Sequence, residues 1–203
     1  MLQVGAPRLV LASASAARRG LLEAAGLRFE VRPAGLDETA LKQAARAERL
    51  EAAEAALLLA DAKARWVAAQ DPDALVIGCD QLLVCDGRWF DKPADLDEAR
   101  AHLRALRGRT HTLVTAALCR RGEQRLWQTV AEPRLTMRDF SDAFLERYLS
   151  LEAAHVTATV GAYRLEGLGA HLFAEVAGEH AAILGLPLLG LLGSLRQLGI
   201  VMG

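Results

Sequence analysis

An aspartate interrupts an otherwise apolar run, ALVIGCDQLLVC, over residues 74–85. The run is rich in β-branched and large aliphatic residues, which predicts a buried strand. Burying a carboxylate is costly unless a hydrogen-bonding or charged partner compensates it. Asp80 is therefore either a structural charge paired with a nearby arginine or an acid that does catalysis or binds a metal ion, since perturbed ionisable groups gather at functional sites. The local sequence leaves both interpretations open.

Three further charged residues are candidates for chemistry, and each also has a simpler explanation. Glu38, at the end of GLDE, is favourably placed at the start of a helix even without a function. Lys92, in DKP, is held in an extended conformation by the following proline and is either solvated or bound to a phosphate. Lys63 lies inside a predicted helix and is by default a surface charge. The residue types alone do not decide between these explanations.

Two adjacent arginines, Arg18 and Arg19, follow two serines in LASASAARRGLL, residues 11–22. They fall in the first turns of a predicted helix, where positive side chains oppose the helix dipole. A solvated helix face would accommodate them. The mild misfit instead favours an anion nearby, held by the helix N-terminus and the guanidinium groups together.

Several common nucleotide-binding and catalytic motifs are missing from the sequence. It has no G-x-x-x-x-G-K-[ST] loop, and GLGAHL supplies only the G-x-G part of a dinucleotide fingerprint. It has neither a G-x-S-x-G nucleophile elbow nor an H-E-x-x-H zinc-binding spacing. The net charge of −1 argues against a protein that binds nucleic acid by bulk electrostatics. Any site for a polyanion must therefore be local.

The composition is that of a globular protein, with 203 residues of which 52% are hydrophobic and 24% charged. The three cysteines lack the C-x-x-C spacing of zinc or redox motifs and are expected to be buried thiols in a reducing compartment. The apolar part of LVLASASA is too short for a signal peptide. The stretch AAILGLPLLGLLGSL is too short for a membrane span. We therefore expect a soluble, cytoplasmic protein.

Strands and helices alternate in the first half of the chain. RLVLAS predicts the first strand, and Ser13 or Ser15 can cap the helix that ends at Gly26. Residues 39–70 are rich in Ala, Leu, Glu, Lys and Arg and predict a helix of a length that leaves room for a break. After the strand that carries Asp80, DLDEARAHLRALRG predicts a helix that opens with a capping box.

Strands dominate the middle of the chain, and a helix ends it. THTLVTAALC and QRLWQTVAEPRLTMR predict a pair of strands around the turn RRGE. Ser141 is expected to cap a short helix, and Pro187 to be the first residue of the last one. This order predicts an α/β fold with a mixed sheet. Because no linker is visible, one domain and two lobes both remain open.

Four stretches of the sequence resemble the Maf family of nucleotide pyrophosphatases, also called septum formation proteins. They are LASASAARRGLL; GLDE; VIGCDQLLVCDGRWFDKPAD with LRALRGRTHTLVTA; and GAYRLEGLGAHLFAEVAGEHAAILGLPL. The resemblance implies one pyrophosphatase domain over residues 1–203, an elongated mixed β-sheet flanked by helices, and two lobes with a cleft between them. It also implies hydrolysis of a nucleoside triphosphate to the monophosphate and pyrophosphate with Mg²⁺ or Mn²⁺, and a homodimer as a common assembly.

The resemblance places the family's functional residues on this chain. Its proposed general base falls on Asp80 and its acidic partner on Glu38, and these two are also the implied metal ligands. Lys92 is the third implied catalytic residue. The implied substrate-binding residues are Ser13, Arg18, Lys63, Gln81 and Glu166. Whether Asp80 accepts the proton of the attacking water or holds the metal is left open.

The expected choice of nucleobase depends on fewer residues. Gln81 follows the acid and Glu166 precedes GLG, which resembles the branch acting on 7-methyl-GTP rather than the branch acting on dTTP and UTP. A carboxylate at Glu166 suits guanine because it can accept from the ring N–H and the exocyclic amine; the alternative is a turn residue facing water. Ala17 departs from the bulky aromatic residue expected in that branch.

The expected function is thus a nucleotide-pool house-cleaning pyrophosphatase, with 7-methyl-GTP as the expected base preference. The alternatives are a dTTP/UTP pyrophosphatase, and a nucleotide-binding inhibitor of septum formation that does not hydrolyse its ligand. Neither nucleic acid nor a membrane is expected as a partner.

Overall fold

The computed structural model of the chain describes residues 2–5 and 7–203. Within these ranges the strands are β1 Leu9–Leu11, β2 Glu30–Val31, β3 Leu75–Cys85, β4 Arg88–Phe90, β5 Thr110–Arg121, β6 Gln124–Ala131, β7 Arg134–Met137 and β8 Phe173–Ala177. The α-helices are α1 Ala16–Ala24, α2 Glu38–Ala47, α3 Ala52–Ala68, α4 Leu96–Leu106, α5 Asp142–Glu152, α6 His180–Ile183 and α7 Leu188–Gln197. Short 3-10 helices cover Val160–Ala162 and Leu168–Leu172.

The strands form one mixed sheet in the order β2-β1-β3-β5-β7-β8, with β4 added to β3 and β6 added to β5. β1 runs parallel to both β2 and β3. The pairs β3–β4, β5–β6, β5–β7 and β7–β8 are antiparallel. The mixed α/β fold expected from the sequence is therefore confirmed. Among the described residues, no helix is both long enough and apolar enough to span a bilayer.

The chain divides into two compact units, and the boundaries fall within β3 and β5. The first unit contains Met1–Gln81, Thr115–Ala131 and Glu179–Gly203. The second contains Leu82–Val114 and Glu132–Gly178. In the first unit, leucines and isoleucines of β1 and β3 are buried with leucines of α1 and α7, and this cluster includes the free cysteines Cys79 and Cys119.

The helical stretch expected over residues 39–70 is broken into α2 and α3. α2 ends at Ala47, and Arg49 has a positive φ of 55°, which an α-helix does not accommodate. α3 then restarts with its own capping box, in which Glu51 and Glu54 exchange side-chain and backbone hydrogen bonds. The buried face of α3 packs on β3, where Ala60 and Ala64 approach Gly78.

The packing of α3 on β3 is unusually close at one glycine. A Cβ added at Gly78 would lie 2.3 Å from the carbonyl oxygen of Ala60 and 2.8 Å from the Cβ of Ala64. Both partners belong to α3, so small residues on the helix and the strand allow the two backbones to approach. This contact lies two residues before Asp80 and sets which residues of α3 lie opposite that part of β3.

The predicted boundaries hold in the later part of the chain with local corrections. Ser141 caps α5, and Asp95 caps α4 by accepting from the backbone N–H of Glu98. The predicted capping box is only half formed, because the carboxylate of Glu98 accepts from the N–H of Ala94 and not from that of Asp95. QRLWQTVAEPRLTMR is two strands, β6 and β7, because Pro133 has no N–H to continue a ladder. In the first unit, Pro187 precedes α7 by one residue instead of opening it.

Candidate active site

Asp80 lies on β3 and binds a buried lysine from α3. The Nζ atom of Lys63 donates to Oδ1 of Asp80 at 2.6 Å and lies 2.8 Å from Oε2 of Glu38 at the start of α2. Asp80 is 4% exposed and Lys63 7% exposed, whereas the side chain of Glu38 is 45% exposed. Three residues far apart in sequence thus form one acid–lysine–acid cluster. The structural partner that the sequence assigned to Asp80, an arginine, is in fact this lysine.

The default interpretation of Lys63 as a surface charge is wrong. The buried face of α3 includes Leu59, Ala60, Ala64 and Val67, and Lys63 lies on the same stripe at helical spacing. A lysine on a buried stripe requires anionic partners, because burying an unpaired ammonium is very costly. The apolar spacing around position 63 was the sequence signal that this default overlooked.

One oxygen of Asp80 has no partner within the described part of the chain. Its Oδ2 atom is buried and accepts no hydrogen bond, while Oδ1 is bound to Lys63. Leaving a buried acceptor unsatisfied costs about 1–3 kcal/mol, and more when the group is charged. A buried acceptor without a protein partner is a candidate contact for a ligand, a water molecule or a metal ion.

The predicted serine and arginine, Ser13 and Arg18, form a second cluster in the first unit. Ser15 is the N-cap of α1, since its side chain accepts from the backbone N–H of Arg18. The Nη1 atom of Arg18 donates to Ser13 Oγ at 3.1 Å and to the carbonyl of Cys79 at 3.2 Å, and its Nε donates to the carbonyl of Gly185 at 2.7 Å. The buried side chain of Arg18 therefore links α1 to β3 and to the segment that follows α6.

The two clusters meet on consecutive residues of β3. Arg18 binds the carbonyl of Cys79, and Lys63 binds the carboxylate of Asp80, the next residue. Arg18 and Lys63 therefore both contact β3, at Cys79 and at Asp80. Burial raises the pKa of the Cys79 thiol to about 11, so this thiol stays protonated and adds no negative charge beside Asp80.

Gln81, on the other side of Asp80, is also tied to the protein. Its Nε2 atom lies 2.8 Å from Thr115 Oγ1, 3.0 Å from the carbonyl of Ala182 and 3.1 Å from the carbonyl of Ile183. Thr115 and the carbonyl acceptors after residue 180 were not anticipated from the sequence. No local motif marks them, because these contacts join positions up to 102 residues apart.

Lys92 and Glu166 belong to the second unit. Lys92 is exposed and follows β4, and Pro93 after it is buried. Glu166 is exposed in a turn between the two 3-10 helices. Six of the predicted site residues thus lie in the first unit: Ser13, Arg18, Glu38, Lys63, Asp80 and Gln81. Lys92 and Glu166 lie in the second unit.

Comparison with known proteins places the chain in a family. The model of the Maf-like proteins matches residues 8–198, which is nearly the whole chain. The chain belongs to this family. The Maf-like match includes every residue predicted for the site, from Ser13 to Glu166.

Individual Maf-like relatives match over nearly their full length. A protein of Granulibacter bethesdensis named nucleoside triphosphate pyrophosphatase is 53% identical over 190 residues, which is 94% of this chain and 96% of the relative. A protein of the same name from Rhodospirillum rubrum is 49% identical over 196 residues, or 97% of each chain. A Rhizobium meliloti protein named 7-methyl-GTP pyrophosphatase is 46% identical over 195 residues, or 96% of this chain and 98% of the relative.

Proposed function

We propose that this protein hydrolyses the α–β phosphoanhydride of a nucleoside triphosphate to the monophosphate and pyrophosphate. The observation that carries the proposal is the buried carboxylate of Asp80, which a lysine holds by one oxygen and which keeps the other oxygen without a protein partner among the described residues. Relatives of 49–53% identity over nearly the whole chain carry the name nucleoside triphosphate pyrophosphatase. Both lines of support point to a hydrolase acting on a polyanion.

The chemistry proposed for Asp80 is that of a general base. Its Oδ2 takes a proton from a water molecule as the water oxygen bonds to the α-phosphorus. The bond between that phosphorus and the α–β bridging oxygen breaks, and pyrophosphate leaves with the electron pair. A positioned base contributes about 10²–10⁴-fold to such a rate. The Lys63 contact holds Oδ1 of the carboxylate and leaves Oδ2 without a protein partner among the described residues.

The triphosphate itself must be neutralised and held in line for attack. Arg18, Lys63 and Lys92 are the proposed cations, and the Ser13 hydroxyl, which already accepts from Arg18, is a further proposed contact. Because phosphoryl transfer leaves little covalent chemistry to the protein, positioning and charge stabilisation supply most of the acceleration. Glu38 is proposed to share Lys63 with Asp80 until the substrate binds.

A divalent cation fits this set of residues. Mg²⁺ in nucleotide enzymes is bound by one or two carboxylates together with substrate phosphates. Glu38 and Asp80 are two carboxylates on one ammonium. Asp80 Oδ2, which lacks a partner within the described chain, would hold the cation as the alternative to taking the proton. No group of three or more acidic, histidine or cysteine side chains that could hold a metal ion occurs in the described residues. Substrate phosphates and water molecules are proposed to complete the ligand set. When bound, Mg²⁺ or Mn²⁺ would neutralise phosphate charge.

We further propose guanine, in particular 7-methylguanine, as the preferred base, with Glu166 as the acceptor for its ring N–H and amine. Glu166 is exposed in its turn and so is accessible to a ligand. The relatives from Rhizobium meliloti and Rhizobium etli carry the name 7-methyl-GTP pyrophosphatase. A solvated turn residue without this role is the alternative outcome.

A nucleotide panel tests the proposal. Purified protein is mixed with GTP, 7-methyl-GTP, dTTP, UTP or ATP in Mg²⁺ or Mn²⁺, and pyrophosphate, orthophosphate and monophosphate are measured separately. We expect pyrophosphate and monophosphate in equal amounts, fastest with 7-methyl-GTP, and no turnover after chelation of the metal. Orthophosphate as the first product would contradict cleavage at the α–β bond. Binding without any turnover would favour the nucleotide-binding regulator instead.

A further inference from the structure

Both chain neighbours of Asp80 are tied to one short segment, Ala182–Gly185. On one side, Arg18 bridges the carbonyl of Cys79 and the carbonyl of Gly185. On the other side, the amide of Gln81 reaches the carbonyls of Ala182 and Ile183. The segment closes α6, where the carbonyl of Ala182 already accepts from backbone N–H groups of Leu184 and Gly185, and the carbonyls of Ile183 and Gly185 accept from Gln81 and Arg18.

A threonine from the neighbouring strand completes this arrangement. Thr115 is fully buried on β5, and its hydroxyl donates to the carbonyl of Ala182 at 3.0 Å. Since the hydroxyl has a single hydrogen, its oxygen must accept from Gln81 Nε2 at 2.8 Å. The two carbonyls also fix which end of the amide faces them, because a carbonyl oxygen in that place would repel them.

The hydrogen-bond count leaves the nitrogen of Gln81 with nothing to offer a ligand. An amide nitrogen has two hydrogens, and here three oxygens lie within 3.1 Å of it. Moving Gln81 onto a nucleobase would strand the buried carbonyl of Ile183 and deprive Thr115 of its donor. Each stranded buried group costs about 1–3 kcal/mol.

The arrangement holds β3 from both faces at the position of Asp80. Successive side chains of a strand point to opposite faces. Asp80 meets Lys63 of α3 on one face, and Gln81 meets Thr115 and the α6 segment on the other. The strand therefore has little freedom to move its carboxylate along or across the sheet.

We infer that Gln81 is a positioning residue for Asp80, acting through Thr115 and the Ala182–Ile183 carbonyls, and does not read the base through its amide nitrogen. The inference rests on the proposed function, in which Asp80 takes a proton from water. Loosening the Ala182–Gly185 segment is expected to displace the Asp80 carboxylate from its position in the transition state. The rate of hydrolysis should then fall by the same factor for every nucleotide. A displacement of about 1 Å at a reacting group can cost about 10²-fold in rate.

The test compares Gln81→Met, Thr115→Val and the double variant in pyrophosphate release from 7-methyl-GTP and from dTTP. We expect each single variant to lower kcat by about 10- to 100-fold with little change in KM. The ratio of kcat/KM for the two nucleotides should stay as in the wild type. Because both residues act through one network, the double variant should be no slower than the slower single variant.

Two conservative variants keep the test valid if a substitution harms folding. Thr115→Ser keeps the hydroxyl and should retain most of the activity, whereas Gln81→Glu keeps the shape but places an oxygen against the two carbonyls and should be at least as slow as Gln81→Met. Thermal unfolding of each variant identifies any loss that is merely structural.

The outcomes separate this inference from the proposed function. A Gln81 variant that changes the nucleotide ratio, while Thr115→Val leaves it unchanged, would overturn the positioning role and make Gln81 a base contact. Multiplicative losses in the double variant would also overturn it. A wild-type protein that releases no pyrophosphate would instead refute the proposed function, and the inference with it.

Discussion

Replacing Lys63 by methionine isolates the charge that compensates the buried Asp80. Removing one partner of a buried ion pair costs about 3–5 kcal/mol, whereas an exposed pair is worth about 0–1 kcal/mol. The side chain of Asp80 is 6% exposed and that of Glu38 is 45% exposed, so most of the loss comes from Asp80. We therefore expect Lys63→Met to lower the free energy of unfolding by about 3–5 kcal/mol. It should also lower pyrophosphate release.

The assay is urea unfolding of four proteins: wild type, Lys63→Met, Asp80→Asn and the double variant. Asp80→Asn removes the buried negative charge, and Lys63 keeps Glu38 as its partner. With no charge at position 80, loss of Lys63 leaves no buried charge without a partner at that position. The double variant should therefore be at least as stable as Lys63→Met, and the two single losses should overestimate its loss.

Arg65→Met is the matched control on the same helix. Arg65 is also paired with an aspartate, Asp61, at 3.2 Å, but its side chain is 62% exposed. Its loss should cost no more than about 1 kcal/mol. If Lys63→Met costs no more than Arg65→Met, or if the losses of the cycle add, Lys63 does not compensate a buried charge and the description of the site is wrong.

Three further predictions follow from single positions. Burial lowers the pKa of His111 from 6.5 to about 4, so the folded state binds fewer protons than the unfolded state between these values; stability should fall by about 3 kcal/mol as the pH drops from about 6.5 to about 4. Urea unfolding across this range should show a weaker fall in His111→Phe, and an unchanged one in the exposed-residue control His155→Gln; equal slopes in all three would contradict the prediction. Gly78→Ala should lower both the thermal midpoint and the activity, because the added Cβ would lie 2.3 Å from a backbone oxygen of α3 and force the helix away from β3. The control Gly20→Ala, with open space around it, should lower neither. A Gly78→Ala variant with wild-type midpoint and activity would show that the close packing is unimportant. Glu166→Gln should lower kcat/KM for guanine nucleotides about 10-fold or more while leaving dTTP unaffected, because the amide replaces one of the two acceptor oxygens with an NH2 group that faces a donor of the base; an equal effect on both would exclude base recognition by Glu166.

The sequence predicted the elements and the acid better than it predicted the acid's surroundings. Asp80 was found because a carboxylate in a continuous apolar strand has a physical cost that is visible locally. The capping residues of α1, α4 and α5 were also local signals, and all three were confirmed. The mixed sheet followed from the alternation of strand and helix patterns.

The remaining parts of the site depend on contacts that local patterns do not encode. Arg18 reaches the carbonyl of Gly185 across 167 residues, and Gln81 reaches that of Ala182 across 101. These acceptors are backbone oxygens, which every residue carries, so the residue type at these positions does not predict the contacts. Lys63 is different, because the sequence already places it on an apolar helical stripe. That spacing is a local signal for burial, even though most lysines are exposed.

The central claim is that the carboxylate of Asp80 carries the chemistry. The most direct measurement is the rate of pyrophosphate release by Asp80→Asn relative to wild type, at saturating nucleotide and Mg²⁺, with circular dichroism confirming that the variant is folded. Loss of a general base predicts a rate about 10²–10⁴-fold lower with nucleotide binding retained. A folded Asp80→Asn protein that releases pyrophosphate at the wild-type rate would contradict the account.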